Sequence, residues 1–319
     1  MIEAKAPGKL VLTGEYAVLA GAPALVMAID RYVTCQIKPS VTGTWEFTSH
    51  GLEAHSIHSR DTLPKDPQHP AALAYQAIRH LRLDLATMPK HLKIKIDSRP
   101  CFYKGEKLGI GSSAACVVAV TAAFAKLCDT TYTLGELLNI HRNLQGGSGS
   151  GLDVATSHHG GVIRFQNGEL EKAEIPKDFN YVFVYPGSSA QTQKLVKRFN
   201  DWRKIERIPK ELQRLIEQAT AVACPSTNFY ESVTEYICAL RALDEAAKIG
   251  IFSEEHLHAL TLAERLNVIY KPCGAGGGDI GVAMAADPGA LTAFKSEITE
   301  QGFIVVPAEI TKNGVEVRR

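Results

Sequence analysis

Residues 109–113, Gly-Ile-Gly-Ser-Ser, run without a break into 114–127, an alanine- and valine-rich stretch whose only charge is Lys126. A segment of that length and character reads as a buried helix, entered through a glycine-serine loop. Such a helix must be covered on nearly all sides, so the chain has to supply a large core. The chain has 319 residues, 45% of them hydrophobic and 22% charged, which suffices and excludes wholesale disorder. At roughly 150 residues per domain, the length predicts about two domains.

The pattern elsewhere mixes both element types. Strands are expected at 9–12, 24–29, 32–37, 45–47, 91–96, 162–165, 181–185 and 280–285. A terminal strand at 303–307 is expected to pair with 315–317. Helices are expected at 71–83, 134–144, 191–202, 209–223, 228–249, 253–266 and 288–301. Residues 50–70, rich in His, Asp and Pro, read as a surface loop. Polar, turn-prone residues between 166 and 180 place a domain boundary there, dividing the chain into 1–170 and 171–319. Met27 and Trp45 are read as core residues.

The charge balance narrows the function. Lys plus Arg number 35 and Asp plus Glu number 34, for a net charge of +1. That argues against a dedicated nucleic-acid binder, which carries a basic excess, and leaves room for a local cationic pocket. Seven cysteines at 35, 101, 116, 128, 224, 238 and 273 show no C-x-x-C spacing. Free thiols in a reducing cytoplasm are the plain reading. No run of about 18 apolar residues suggests a membrane span, and the N-terminus lacks a secretory apolar region. A soluble cytoplasmic protein, with neither nucleic acid nor membrane as partner, is expected.

Three glycine-rich loops carry the chemistry. The loop at 109–115 offers successive backbone N–H groups and the positive end of a helix dipole. Phosphate binding and a plain tight turn into a core helix are both consistent with it. It lacks the Gly-Lys-Ser/Thr ending of a Walker loop, and Ala114 stands where G-x-G-x-x-G needs glycine. The loop at 274–279, Gly-Ala-Gly-Gly-Gly-Asp, costs so much ordering entropy that it points to a close backbone approach to something. Between these two in the chain, Ser148-Gly149-Ser150-Gly151-Leu152-Asp153 ends in a carboxylate. Asp153 there can be a general base, a metal ligand or the N-cap of a helix.

Taken together these loops resemble the GHMP kinases. Ala6-Pro7-Gly8-Lys9-Leu10 through Gly14-Glu15-Tyr16-Ala17-Val18 is similar to that family's first motif, 109–115 to its second and 274–279 to its third. Within the family the match is nearest to the phosphomevalonate kinases. It rests on Gly-Glu-Tyr in the first motif and Gly-Gly-Gly-Asp in the third. The segment Ser189-Ala190-Gln191-Thr192 departs from that group's pattern at Gln191.

The resemblance implies an α+β, two-domain fold. Its N-terminal domain would be like ribosomal protein S5 domain 2 and its C-terminal domain ferredoxin-like, with the active site between them. It implies ATP-dependent phosphorylation of 5-phosphomevalonate to 5-diphosphomevalonate, with Mg²⁺, by a monomer or homodimer. Gly109, Gly111, Ser112, Ser113 and Ala114 would hold the nucleotide phosphates, and Ser113 the metal. Lys9 would neutralise charge on the transferring phosphoryl group, paired with and oriented by Asp153. Tyr16, Ser148, Ser150, Lys271, Gly276 and Gly277 would bind the phosphorylated acid substrate. Eleven residues ahead of Asp153, where mevalonate kinases carry a magnesium-binding Glu, stands Arg142. Arg142 reads equally as an anion contact or as a solvent-facing residue. Lys194, Lys197 and Arg198 read as a solvated helix face or as a substrate contact. The alternatives are a mevalonate kinase, another small-molecule kinase of the family, or a non-catalytic nucleotide-sensing module.

Overall fold

The computed structural model describes every residue except 52, 68, 70, 147, 148, 205–207 and 225–227. In chain order the first half comprises strands β1 (Ile2–Thr13), β2 (Ala24–Pro39), β3 (Trp45–His50) and β4 (Ala54–His58), then helix α1 (Ala72–His80). Next come β5 (Leu92–Asp97), a hairpin of β6 (Phe102–Tyr103) and β7 (Glu106–Lys107), and helices α2 (Ser112–Leu127), α3 (Leu134–Leu144) and α4 (Leu152–His159). Strands β8 (Val162–Gln166) and β9 (Glu169–Lys172) complete it. The second half holds β10 (Asn180–Tyr185), α5 (Thr192–Trp202), α6 (Lys210–Val222), α7 (Phe229–Ala247) and α8 (Glu254–Arg265). It ends with β11 (Ile269–Pro272), β12 (Gly281–Ala285), α9 (Pro288–Glu300), β13 (Ile304–Val306) and β14 (Glu316–Arg318).

One sheet runs β14-β1-β2-β5-β3-β4, with β8 joining β2 and β9 joining β8. Its strands show period-2 burial. Leu92, Ile94 and Ile96 face inward from β5 while Lys93 and Lys95 face out. On the inner side lies α2, buried continuously from Ala114 to Ala125 between β1, β2, α1, α3 and α4. That is the nearly uncharged helix expected above. The second sheet is antiparallel, β11-β12-β10-β13, with α9 packed on β10, β12 and β13 and α8 on β11. The α+β class is as expected. Met27 and Trp45 are fully buried.

Three local expectations differ from the structure. Residues 24–29 and 32–37 are one strand, not two. The polar pair Asp30-Arg31 between them stays in the strand and serves a neighbouring segment: Asp30 Oδ1 accepts from Glu309 N at 2.8 Å and Arg31 Nη2 donates to Pro307 O at 2.6 Å. Within 50–70 lies an edge strand, β4, whose Ala, Ser and His residues carry little strand propensity. Residues 269–272, given no element above, form strand β11. Finally, 315–317 does not pair with 303–307. Strand β14 pairs with β1, matching Glu3 with Arg318 and Lys5 with Glu316, and Lys5 and Glu316 form an ion pair at 2.9 Å. The last strand therefore crosses the division expected at residue 170.

Candidate active site

The loop of the second motif, 109–115, is built for an uncapped helix start. Leu108 and Ile110 bury their side chains, while Gly109 and Gly111 take left-handed backbone angles, φ 74° and 76°. Gly111 is the N-cap of α2 and no side chain caps it. Ala115 N donates to Gly111 O at 3.1 Å, opening the helical ladder. The N–H groups of Ser112, Ser113 and Ala114 precede it and face the loop, with the helix dipole behind them. Ala114 is buried, Ser112 half-buried and Ser113 exposed.

Lys9, on β1, ties this loop to the one at 274–279. Its N–H donates to Ile110 O at 2.8 Å. A Cβ placed on Gly111 would lie 3.0 Å from both Cγ and Cε of Lys9, so the aliphatic stem of Lys9 crosses directly over that glycine. The ammonium ends beside Gly274, 3.9 Å from where a Cβ would stand. The loop of the third motif, 274–279, closes the arrangement through Asp279. A Cβ on Gly109 would fall 2.3 Å from Asp279 Cγ. Asp279 Oδ1 accepts from Ala190 N at 3.0 Å, and Asp279 N donates to Ser188 O at 2.9 Å. Burial raises the Asp279 carboxyl above its ordinary range, against the pull of the Ala190 N–H and of nearby Lys9.

Under the third loop sits His256, fully buried. Its Nε2–H donates to Gly278 O at 2.7 Å, and Tyr270 Oη lies 2.8 Å from Nδ1, which accepts from it. Burial depresses this imidazole to about 4, so it is neutral and serves as a fixed strut.

Several residues expected to bind substrate have other occupations. Lys271 is fully buried and its ammonium meets Glu15 Oε1 at 2.5 Å and Pro272 O at 2.7 Å. It faces the protein interior, its ammonium reaching Glu15 just beyond the end of β1. Tyr16 is 4% exposed, donates to Ala275 O at 2.6 Å and packs on Phe199 with ring centroids 5.1 Å apart. Gly276 and Gly277 approach protein. A Cβ on Gly276 would meet Ile251 O at 2.4 Å, and one on Gly277 would meet Gly250 O at 2.9 Å. Much of the close approach inferred from the glycine run is thus to the segment 250–251.

The remaining expected residues lie at the start of α4, which packs on α2 and β1. Ser150 Oγ accepts from Leu152 N at 3.4 Å, and Ser148 lies outside the described residues. Asp153 is in the first turn of α4, where the N-cap is Gly151. Its Oδ1 accepts from Val154 N at 3.0 Å. Among the described residues no ion pair within 4.0 Å joins it to Lys9, so the expected pairing is not closed. Arg142 is exposed on α3, and Lys194, Lys197 and Arg198 are exposed on α5, where Arg198 Nη1 donates to Ile249 O at 2.8 Å. Sequence reasoning gave no separate role to Glu15, Tyr236, His256 or Asp279. Glu15 and Asp279 stood inside the quoted motifs, whereas nothing local distinguished His256 or Tyr236.

Comparison with known proteins fits this geometry. Residues 72–161, which include the α2 loop and Asp153, match the family model GHMP kinases N terminal domain. Mevalonate kinase of Pyrococcus abyssi is 26% identical, covering 99% of this chain and 98% of that one. Phosphomevalonate kinase of a Streptomyces species is 27% identical, covering 88% of each. The structure of Streptococcus pneumoniae phosphomevalonate kinase, in complex with phosphomevalonate and AMPPNP, aligns with a TM-score of 0.80 at 20% identity over 97% of this chain and 99% of that one. Segment 72–161 thus matches the GHMP kinase N-terminal domain, and the chain as a whole shares the α+β fold of these kinase structures.

Proposed function

We propose that this chain is an ATP-dependent small-molecule kinase that converts 5-phosphomevalonate to 5-diphosphomevalonate. The observation that carries the reading is the meeting of strand β1 with the loops at 109–113 and 274–279 at the start of α2. Lys9 lies over Gly111 with its ammonium beside Gly274, and Asp279 lies against Gly109.

Phosphoryl transfer asks mainly for positioning and charge neutralisation. The N–H groups of Gly109, Gly111, Ser112, Ser113 and Ala114 hold the nucleotide phosphates. An oxygen of the acceptor phosphate attacks the γ-phosphorus while the bond to the β–γ bridging oxygen breaks and ADP leaves. An acceptor phosphate is already ionised, so no strong base is needed. Lys9 neutralises the transferring group, and Asp153 orients it when the ligands draw the two together. Among the described residues no group of three His, Cys, Asp or Glu side chains can hold a metal. The exposed Ser113 hydroxyl instead suits Mg²⁺ carried chiefly by phosphates and water. Bound there, the ion would supply further neutralisation of the β- and γ-phosphates.

The phosphorylated acceptor is favoured by Gly14-Glu15-Tyr16, by Asp279 ending the third loop, and by Arg142 on α3 where a mevalonate kinase carries Glu. A second reading, mevalonate as acceptor, is supported by the likeness to the Pyrococcus abyssi enzyme over 99% of the chain. An acceptor panel with coupled ADP detection separates them. Purified protein with ATP and Mg²⁺ is expected to form ADP with 5-phosphomevalonate and hardly with mevalonate; the reverse preference overturns the first reading.

A further inference from the structure

We infer that Glu15, Lys271 and Tyr236 form a buried pivot that positions Lys9 against the third loop. This rests on the reading of Lys9 as the cation at the transferring phosphoryl group.

The three residues come from separate elements. Glu15 follows β1 of the first sheet, Lys271 lies on β11 of the second, and Tyr236 lies on α7. The side chains of Glu15 and Lys271 are 1% and 0% exposed. Every strong group is matched. Lys271 Nζ donates to Glu15 Oε1 at 2.5 Å, to Pro272 O at 2.7 Å and towards Val11 O at 3.5 Å. That uses all three ammonium protons. Glu15 Oε2 accepts from Tyr236 OH at 2.7 Å, and Tyr236 OH accepts from Gly14 N at 3.0 Å. Glu15 Oε1 also accepts from Gly274 N at 3.3 Å.

These contacts close a ring. Lys9 is on β1, β1 leads to Glu15, Glu15 holds Gly274, and Gly274 lies beside the ammonium of Lys9. Tyr16 adds a second tie through Ala275 O and is held at φ 60°, a sparsely populated angle for a bulky residue. A buried ion pair generally contributes less stability than apolar residues of similar volume. What it provides is one register: the charges and Tyr236 accept a single arrangement of β1, β11 and α7, where an apolar contact could slide.

The test separates register from stability. In the Glu15→Leu/Lys271→Met double variant both charges go and the volume remains. The expected result is a melting temperature near that of the wild type, kcat lowered at least twentyfold, and KM for ATP changed less than threefold. The ¹³Cε resonance of Lys9 should move in the double variant and, by a smaller amount, in Tyr236→Phe, whose kcat should fall about fivefold. A folded double variant with kcat within threefold and an unmoved Lys9 resonance overturns the pivot. Should the double variant not fold, Tyr236→Phe decides: unchanged kcat and resonance overturn the proposal. If the resonance moves but Lys9→Met leaves turnover unchanged, the pivot stands and the catalytic reading of Lys9 falls.

Discussion

The carboxyl group of Asp279 occupies the space that a side chain on Gly109 would need: a Cβ there would lie 2.3 Å from Asp279 Cγ and 2.5 Å from Oδ2. The second and third loops therefore fit together only because residue 109 is glycine and sits at φ 74°.

Gly109→Ala should consequently act twice. The left-handed angle costs roughly 1–3 kcal/mol for a non-glycine residue, and the new methyl must push Asp279 away. Titration calorimetry with a non-hydrolysable ATP analogue should show affinity reduced at least tenfold. Adding Asp279→Gly should restore part of it, because residue 279 is itself at positive φ, 54°. Additive losses in the double variant would show that the two residues do not share the space.

Lys9→Met should lower kcat by about 100- to 1000-fold, roughly 3–4 kcal/mol of barrier, the usual size of one lost preorganised charge contact. Asp153→Ala should cost less than Lys9→Met if it only orients the lysine, and as much if it takes a proton. Turnover within threefold of wild type for both would remove them from the mechanism.

His256 predicts an acid limb in stability. Its folded imidazole titrates at about 4, against 6.5 for the ordinary group. Below pH 6.5 the unfolded chain takes up a proton that the folded chain refuses, so stability falls as the pH drops from about 6.5 to 4. That difference corresponds to on the order of 3 kcal/mol at full development. Urea unfolding followed between pH 8 and 4 should show His256→Gln less stable than wild type at pH 8 but with a shallower slope below 6.5. Parallel slopes would assign the acid limb elsewhere.

Thiol reactivity should report the core directly. Cys35, Cys101, Cys116 and Cys273 are buried, and burial pushes the Cys101 and Cys116 thiols up to about 12. Cys224 and Cys238 are exposed and Cys128 is half-buried. A chromogenic thiol reagent should find two fast sites, one slower and four that react only in denaturant. Fast reaction of Cys116 would mean that α2 is less enclosed than described.

The sequence makes the central helix and the three loops legible because their signals are local: few charges over a whole helix, and glycines in runs. Lys9, Gly109, Gly111 and Asp279 meet as the motif order suggests. What it conceals is partnership. Lys271 in a glycine-rich motif reads as an anion contact, yet its counter-charge lies 256 residues away. His256 and Tyr236 sit in ordinary amphipathic helices, and only the packing of those helices against the loops shows what they hold. Likewise β4 and β14 are short and polar, and pairing with a neighbour, rather than propensity, makes them strands.

The pairing of β14 with β1 bears on the order in which the molecule can be assembled. The opening strand lacks its outer neighbour until residues 316–318 have been made, and the segment leading there is tied on as well, with Gly161 N bonded to Thr311 O and Val315 N to His158 O. On a ribosome the first sheet must wait, with an unpaired edge, while the whole second sheet is synthesised. Contacts of such sequence separation slow folding and leave the edge open to wrong partners in the meantime. Shortening the chain by its last few residues would strip the first sheet's border, far from the sheet that β13 belongs to.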